Sequence, residues 1–233
     1  MTNRRSASLL GVATLVSELG CSKQMPGPNA RDDSVRWLLD DLSAVNGRTP
    51  TVLGRPTVTA FEAGSALCFD GVDDGLVFDE NPLQGQAAFT IEVLFRPDRA
   101  GPVAQRFVHI QESGSENRAM VETRVAGDTF YLDTFLSSRG ARVTLAEPSL
   151  SHPTSAFHWA ALSYADGRMR QFMDGVPELA GSLDFAPLGP GQMSLGVRLN
   201  QRYWFKGCLR ELRFSPRALA AAELRTLQTL QTR

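Results

Sequence analysis

The sequence has almost no lysine: Lys23 and Lys206 are the only two, and arginine carries the rest of its positive charge. Arginine pairs with carboxylates and stacks on rings better than lysine does, although genome composition accounts for the same bias. Neither sign of charge is in excess, and a formal net charge of −1 gives no field that would gather nucleic acid or an anionic membrane. Long apolar runs are also missing, so no stretch approaches the roughly 20 residues of a membrane-spanning helix. There is no Walker loop, Cys-x-x-Cys pair, Gly-x-Ser-x-Gly elbow or Gly-rich turn entering a helix, which removes the sequence signatures of phosphate binding, zinc ribbons and serine hydrolysis. The three histidines, His109, His152 and His158, lack the helical spacing of metal ligands.

Cysteine is scarce as well. Cys68 and Cys208 lie in strand-like runs near opposite ends of the chain, so they can meet only if the first and last strands are neighbours. Because buried free thiols behave as small hydrophobes, the expectation is two unbonded core cysteines. The third, Cys21, follows a positive "MTNRR" and a short apolar "SLLGVATLV", in an arrangement that resembles a bacterial secretion signal of the lipoprotein kind with Cys21 as the lipidated residue. Glu18 and Leu19 depart from that pattern, and an amphipathic or disordered tail is the alternative. Export to the periplasm, cell envelope or medium is the expectation. Residues 1–21 are thus read as a signal-like segment and the Pro- and Gly-containing 22–33 as a linker, leaving 34–233 as one domain.

From Val52 onward nearly every segment reads as a short strand, alternating or continuously apolar and bounded by Gly, Pro, Asp or Asn. Many short strands without helical periods between them predict an antiparallel sandwich or barrel rather than a βαβ fold. "VRWLLDDLSAVNG" fits either a helical turn or a short strand. The last segment, "SPRALAAAELRTLQTLQ", predicts a terminal helix with Ser215 as N-cap and Pro216 at its first position. "FHWAALSYADGRMRQFMDGVPE" is a hairpin in which Trp159, Ala161 and Ser163 share one face, His158, Ala160, Leu162 and Tyr164 the other, and Gly167 and Gly175 take positions that need positive φ.

Four blocks in order, "ALCFDGVDDGLVF", "FTIEVLFRPD", the hairpin above and "MSLGVRLNQRYWFKGCLRELRFSPRALAAAEL", together resemble the laminin-G-like, concanavalin A-like family over roughly Ser65 to Leu224. The resemblance implies an all-β, antiparallel jelly-roll sandwich with a short C-terminal helix. It leaves function wide, since the fold hosts lectins, adhesion modules, glycoside hydrolases and polysaccharide lyases. In the family the aromatic of "NQRYWFKG" packs, which is the expectation for the Arg202, Tyr203 and Trp204 stretch, with a binding loop as the alternative.

The region between the blocks holds the candidate site. Alternation puts Phe107, His109 and Gln111 on one face of a strand, with Met120, Glu122 and Arg124, then Tyr131, Asp133 and Phe135, on one face of the next two. If register aligns them, His109, Gln111, Glu122, Arg124, Tyr131 and Asp133 gather as a polar groove on the concave sheet face. Cross-strand ion pairing is the plainest role for such a set, and binding of carbohydrate or an extracellular protein by a non-catalytic module is the functional reading. The alternative is a polysaccharide lyase or glycoside hydrolase. A lyase would use His109 and Tyr131 for proton transfer and Arg124 and Gln111 against a sugar carboxylate, and a hydrolase the carboxylates of Glu122 and Asp133. No cofactor is required. Calcium is the one candidate, at Asp70, Asp73 and Asp74 of "FDGVDDG", although an Asp-capped turn is the preferred reading of that stretch.

Overall fold

Asp166 and Gly167 both adopt positive φ, 50° and 74°, and Asp174 and Gly175 repeat the pattern at 50° and 81°. Such pairs twist a two-residue turn to match the strands that flank it, so the chain doubles back twice within 25 residues or so. The computed structural model describes residues 32–230. The signal-like 1–21 with Cys21, and nearly all of the 22–33 linker, lie outside the described residues.

Fifteen strands follow in order: β1 Val35–Leu38, β2 Thr51–Leu53, β3 Thr57–Phe61, β4 Gly64–Asp70, β5 Gly75–Phe78, β6 Phe89–Pro97, β7 Ala104–Glu112 and β8 Arg118–Ala126. The rest are β9 Thr129–Ser138, β10 Ala141–Pro153, β11 His158–Ala165, β12 Arg168–Met173, β13 Val176–Ser182, β14 Gly191–Leu195 and β15 Lys206–Ser215. They form two antiparallel sheets, one ordered β13-β12-β11-β6-β15-β4-β3 with β1 also paired to β15, the other β10-β9-β8-β7-β14-β5-β2. This is a jelly-roll β-sandwich. The segment containing Trp37, readable as helix or strand, is β1.

Alternation builds the core between the sheets. Ala160, Leu162 and Tyr164 of β11 face Val121, Val125, Leu132 and Leu136 of the other sheet's strands within one continuous apolar cluster. Burying each large side chain there contributes about 1.5–3 kcal/mol. Two readings of the sequence are corrected at this level. Phe107 does not share a face with His109: the register between β7 and β8 shifts between Arg106 and Val108, and this bulge turns Phe107 inward, where it stacks on Phe95 with centroids 4.6 Å apart. Cys68 and Cys208, expected to be free, form a disulfide, because β4 and β15 are neighbours and the two residues stand opposite each other with Cα atoms 4.0 Å apart.

The C-terminal segment departs from its prediction too. Ser215 stays in β15, paired with Thr90, and helix is confined to two 3₁₀ turns at Ala221–Glu223 and Leu227–Leu230. Tertiary ties outweigh local propensity here. Thr90 Oγ1 donates to the Arg217 carbonyl and accepts from the Leu219 N–H, while the Arg225 N–H donates to Glu92. Leu219 and Leu224 thereby pack on Ala161 and Phe172, covering part of the outer face of the β6–β11–β12 sheet.

Candidate functional site

The outer face of the other sheet carries the polar set. Arg106 of β7 lies opposite Glu122 of β8, which lies opposite Asp133 of β9; Arg124 is opposite Tyr131, and His109 is opposite Met120 and Ser194. Outward side chains one pleat apart therefore stand in adjacent rows. The bulge that sends Phe107 into the core is also what lets Arg106 join this face, so the sequence pattern missed it.

Glu122, Arg124 and Asp133 form a closed ionic group with Arg106. The Arg106 Nε is 2.9 Å from Glu122 Oε2, and Arg124 Nη2 is 2.5 Å from Asp133 Oδ2 and 3.4 Å from Glu122 Oε2. Glu122 is only 2% exposed. Burial and the charge of Asp133 push its carboxyl up to about 7, against the pull of Arg106 and Arg124. Burial likewise raises Asp133, with Arg124 and Arg106 opposing. Both carboxylates are engaged beneath guanidinium groups, an arrangement that rigidifies the face and does not open two carboxylates to a glycosidic bond.

His109 is 1% exposed and accepts a hydrogen bond at Nδ1 from the Leu199 N–H, 3.0 Å away. Its pKa falls to about 3, because burial and the nearby Arg198, Arg118 and Arg106 all disfavour imidazolium. The ring is therefore neutral at physiological pH, with its one proton on Nε2 and its lone pair already used. That makes His109 a donor rather than a proton acceptor.

The loop from Gly196 to Phe205, between β14 and β15, lies against this edge of the site. Gly196 N–H donates to the Phe107 carbonyl and the Arg106 N–H to the Tyr203 carbonyl. Gln201 and Tyr203 sit at φ 55° and 64°, a left-handed conformation that non-glycine residues adopt only when their surroundings impose it. Tyr203 is 44% exposed, and the Arg106 guanidinium stacks over its ring at 3.7 Å. Arg118 covers Phe135 in the same manner at 4.9 Å. Beside the loop an open groove of about 340 Å³ is lined by Gln111, Gln192, Leu199 and Asn200 among others. Gln111 donates to the Ser115 carbonyl and Gln192 to Asp79, which fixes both amides along the groove. Arg202 and Tyr203 were offered as an alternative binding loop, whereas Arg106, Arg118, Gln192, Arg198 and Leu199 were missed as site residues; the last two lie in a loop, which has no periodicity and whose place follows from strand order alone.

The structure thus brings Glu122, Arg124 and Asp133 into contact, sets Tyr131 opposite Arg124, and places His109 and Gln111 two residues apart on the neighbouring strand. The other histidines lie elsewhere: His158 contacts Asp174 and the Pro153 carbonyl, and His152 contacts Glu178.

Ligand atoms of Asp70, Asp73 and Asp74 all lie within 4.8 Å of one another. Oxygens of Asp70 and Asp74 are already in use. Asp70 Oδ1 accepts from the Val72 and Asp73 N–H groups, while Asp74 accepts from Arg55 and Asp70. Burial opposes ionisation of Asp70, but the backbone donors of Val72, Asp73 and Asp74 together hold its pKa down. Arg55 and Lys206 line the same cavity, and positive charge there works against a cation. The donor set is that of an Asp-capped turn.

A jelly-roll sandwich with a polar, aromatic-flanked outer face has the architecture of lectin-like domains. Residues 70–225 match the family described as the concanavalin A-like lectin/glucanases superfamily, Laminin_G_3, and the chain belongs to it. Domain 4 of the extracellular arabinanase AbnA from Geobacillus stearothermophilus, solved with arabinotriose, is similar with a TM-score of 0.60 at 18% identity, over 81% of this chain and 94% of that one. The binding domain of botulinum neurotoxin DC, solved with SialylT, is similar at TM-score 0.60 and 10% identity, over 86% of this chain but 52% of its own. A SAP-like heptameric pentraxin from Limulus polyphemus gives 0.54 at 16%, over 66% and 76%. At these identities the likeness is one of fold. No curated protein matches the chain. Among the described residues no helix is long and apolar enough to cross a membrane.

Proposed function

We propose that this chain is an exported, non-catalytic recognition module that binds carbohydrate on the outer face of the β10–β9–β8–β7–β14–β5–β2 sheet. The observation that carries the reading is the groove beside Leu199. It combines fixed amides, Gln111 and Gln192, with an apolar side chain, and it adjoins a face where Tyr203 and Phe135 are backed by arginines. Amides and charges suit sugar hydroxyls, and apolar or aromatic surface suits the sugar's C–H face. The two structural neighbours solved with arabinotriose and SialylT lend support at the level of architecture.

Export is supported by the Cys68–Cys208 bridge, since disulfides form and persist in oxidising compartments, and by the signal-like N-terminus with its lipid-anchor candidate Cys21. The testing experiment is a glycan array probed with the wild type and with a Gln111→Ala/Gln192→Ala double variant. A subset of glycans retained by the wild type and lost by the variant is the expected result. Retention of the same subset by a well-folded variant would place binding elsewhere, and an extracellular protein partner becomes the reading if no glycan binds.

A further inference from the structure

Unpartnered donors gather along this face. Among the described residues, the buried atoms lacking any hydrogen-bond partner include His109 Nε2, Arg118 Nε, Arg198 Nε, Arg106 Nη1 and Arg124 Nη1. All five are nitrogen donors. No acceptor oxygen of this face is among the unpartnered buried atoms. Leaving a buried donor unpaired is costly, so five on one side of one sheet call for an acceptor that the chain itself does not supply.

Charge points the same way. Arg106, Arg118, Arg124 and Arg198 stand against Glu122, Asp133, the exposed Glu116, which pairs with Arg118 at 2.6 Å, and the groove-lining Glu112, whose carboxylate already accepts from Ser115, Asn117 and the Gly189 N–H. The two buried carboxylates are held by Arg106 and Arg124. Among the described residues Arg198 has no ion pair, and burial, Arg118 and Arg106 disfavour its charge more than Glu116 and Glu122 favour it. Three arginines thus converge around His109, repelling one another. His109 adds an N–H without adding a charge, since its Nδ1 is committed to Leu199. A guanidinium presents paired donors in a plane, which an oxyanion accepts better than a neutral hydroxyl does.

We propose that the His109, Arg118 and Arg198 end of the groove reads an oxyanion substituent, a carboxylate or a sulfate ester, on the bound saccharide, so that the ligand is an acidic glycan. This rests on the carbohydrate reading above and adds to it the charge class of the ligand. Gln111 and Gln192 hold the neutral part of the chain along the groove, and the arginines supply the selectivity.

The test is calorimetric titration at fixed ionic strength with two matched pairs of polymers: polygalacturonate against its methyl ester, and dextran sulfate against dextran. Binding of one charged polymer and not its uncharged mate is expected, the arm that responds naming carboxylate or sulfate. Arg198→Met should weaken that binding roughly tenfold or more, the scale of one lost hydrogen bond to a charged group. The variant's unchanged melting temperature shows that the fold is intact. Equal binding to charged and uncharged mates overturns the oxyanion inference and leaves carbohydrate binding standing. Binding to neither charged polymer overturns the inference as well, and glycan-array hits among neutral sugars would then still uphold the broader reading.

Discussion

Phe95 and Phe107 stack with their ring planes 14° apart, one from each sheet, and this contact ties the core to the strand that carries the polar face. The inward turn of Phe107 uses up the extra residue of the β7 bulge and leaves Arg106 outward over Tyr203. Phe107→Ala should therefore destabilise the domain by about 3–5 kcal/mol, the usual effect of emptying an aromatic site. Urea unfolding measures this, and a loss below about 1 kcal/mol would contradict the stacked core position.

Removing the disulfide by Cys68→Ser with Cys208→Ser should lower stability by about 2–5 kcal/mol, because the bridge closes a long loop and restricts the unfolded chain. The sequence separation of the two cysteines is 140 residues. Non-reducing peptide mapping checks the bridge directly, and its absence in protein purified from an oxidising compartment would count against the β4–β15 pairing.

Stability should respond to acid through His109. Its folded pKa of about 3 lies below the ordinary histidine value of 6.5, so the unfolded chain binds the proton more readily. The stabilising contribution is complete above pH 6.5 and is lost as pH falls toward 3. Relative to the wild type, His109→Gln should flatten the decline in melting temperature across that window. Parallel curves for the two proteins would remove His109 from the account.

Glu122 acts in the opposite sense. Its folded pKa, about 7, is above the ordinary glutamate value of 4.5, so its contribution is complete below pH 4.5 and disappears as pH rises through 7. Glu122→Gln should gain on the wild type between pH 5 and 8, by up to about 3 kcal/mol. Unfolding free energies of both proteins at the two ends of that range decide the matter.

Gly175→Val should cost about 1–3 kcal/mol, since a β-branched residue resists positive φ. An added Cβ there would also meet Thr226 Cγ2 at 2.9 Å. Glycan affinity at saturating fold should be unchanged, because this turn joins strands of the opposite sheet.

Much of this architecture was legible in the chain. The Asp-Gly turns, the alternation in β8 and β9 and the ordered family blocks led to the sandwich, and the Glu122–Asp133 and Arg124–Tyr131 rows follow from alternation plus register. What escaped depended on non-local facts. Period-two counting assumes an unbroken ladder, so the bulge at Phe107 reversed one assignment and hid Arg106. The cysteines pair only because β15 returns beside β4, a matter of strand order that no local pattern contains. The terminal helix failed because Thr90 and Glu92 hold the segment against the sheet, overriding its alanine-rich propensity. Arg198 and Leu199 sit in a loop whose position is set by its backbone bonds to β7.

The sulfur bridge also has a mechanical meaning. Every residue of the polar face, from Arg106 to Tyr203, lies between Cys68 and Cys208, so tension applied along the chain from either side passes through the bond between the two sulfurs. The enclosed strands are spared the load. A domain wired in this way can be tugged at its ends while its polar face stays unloaded.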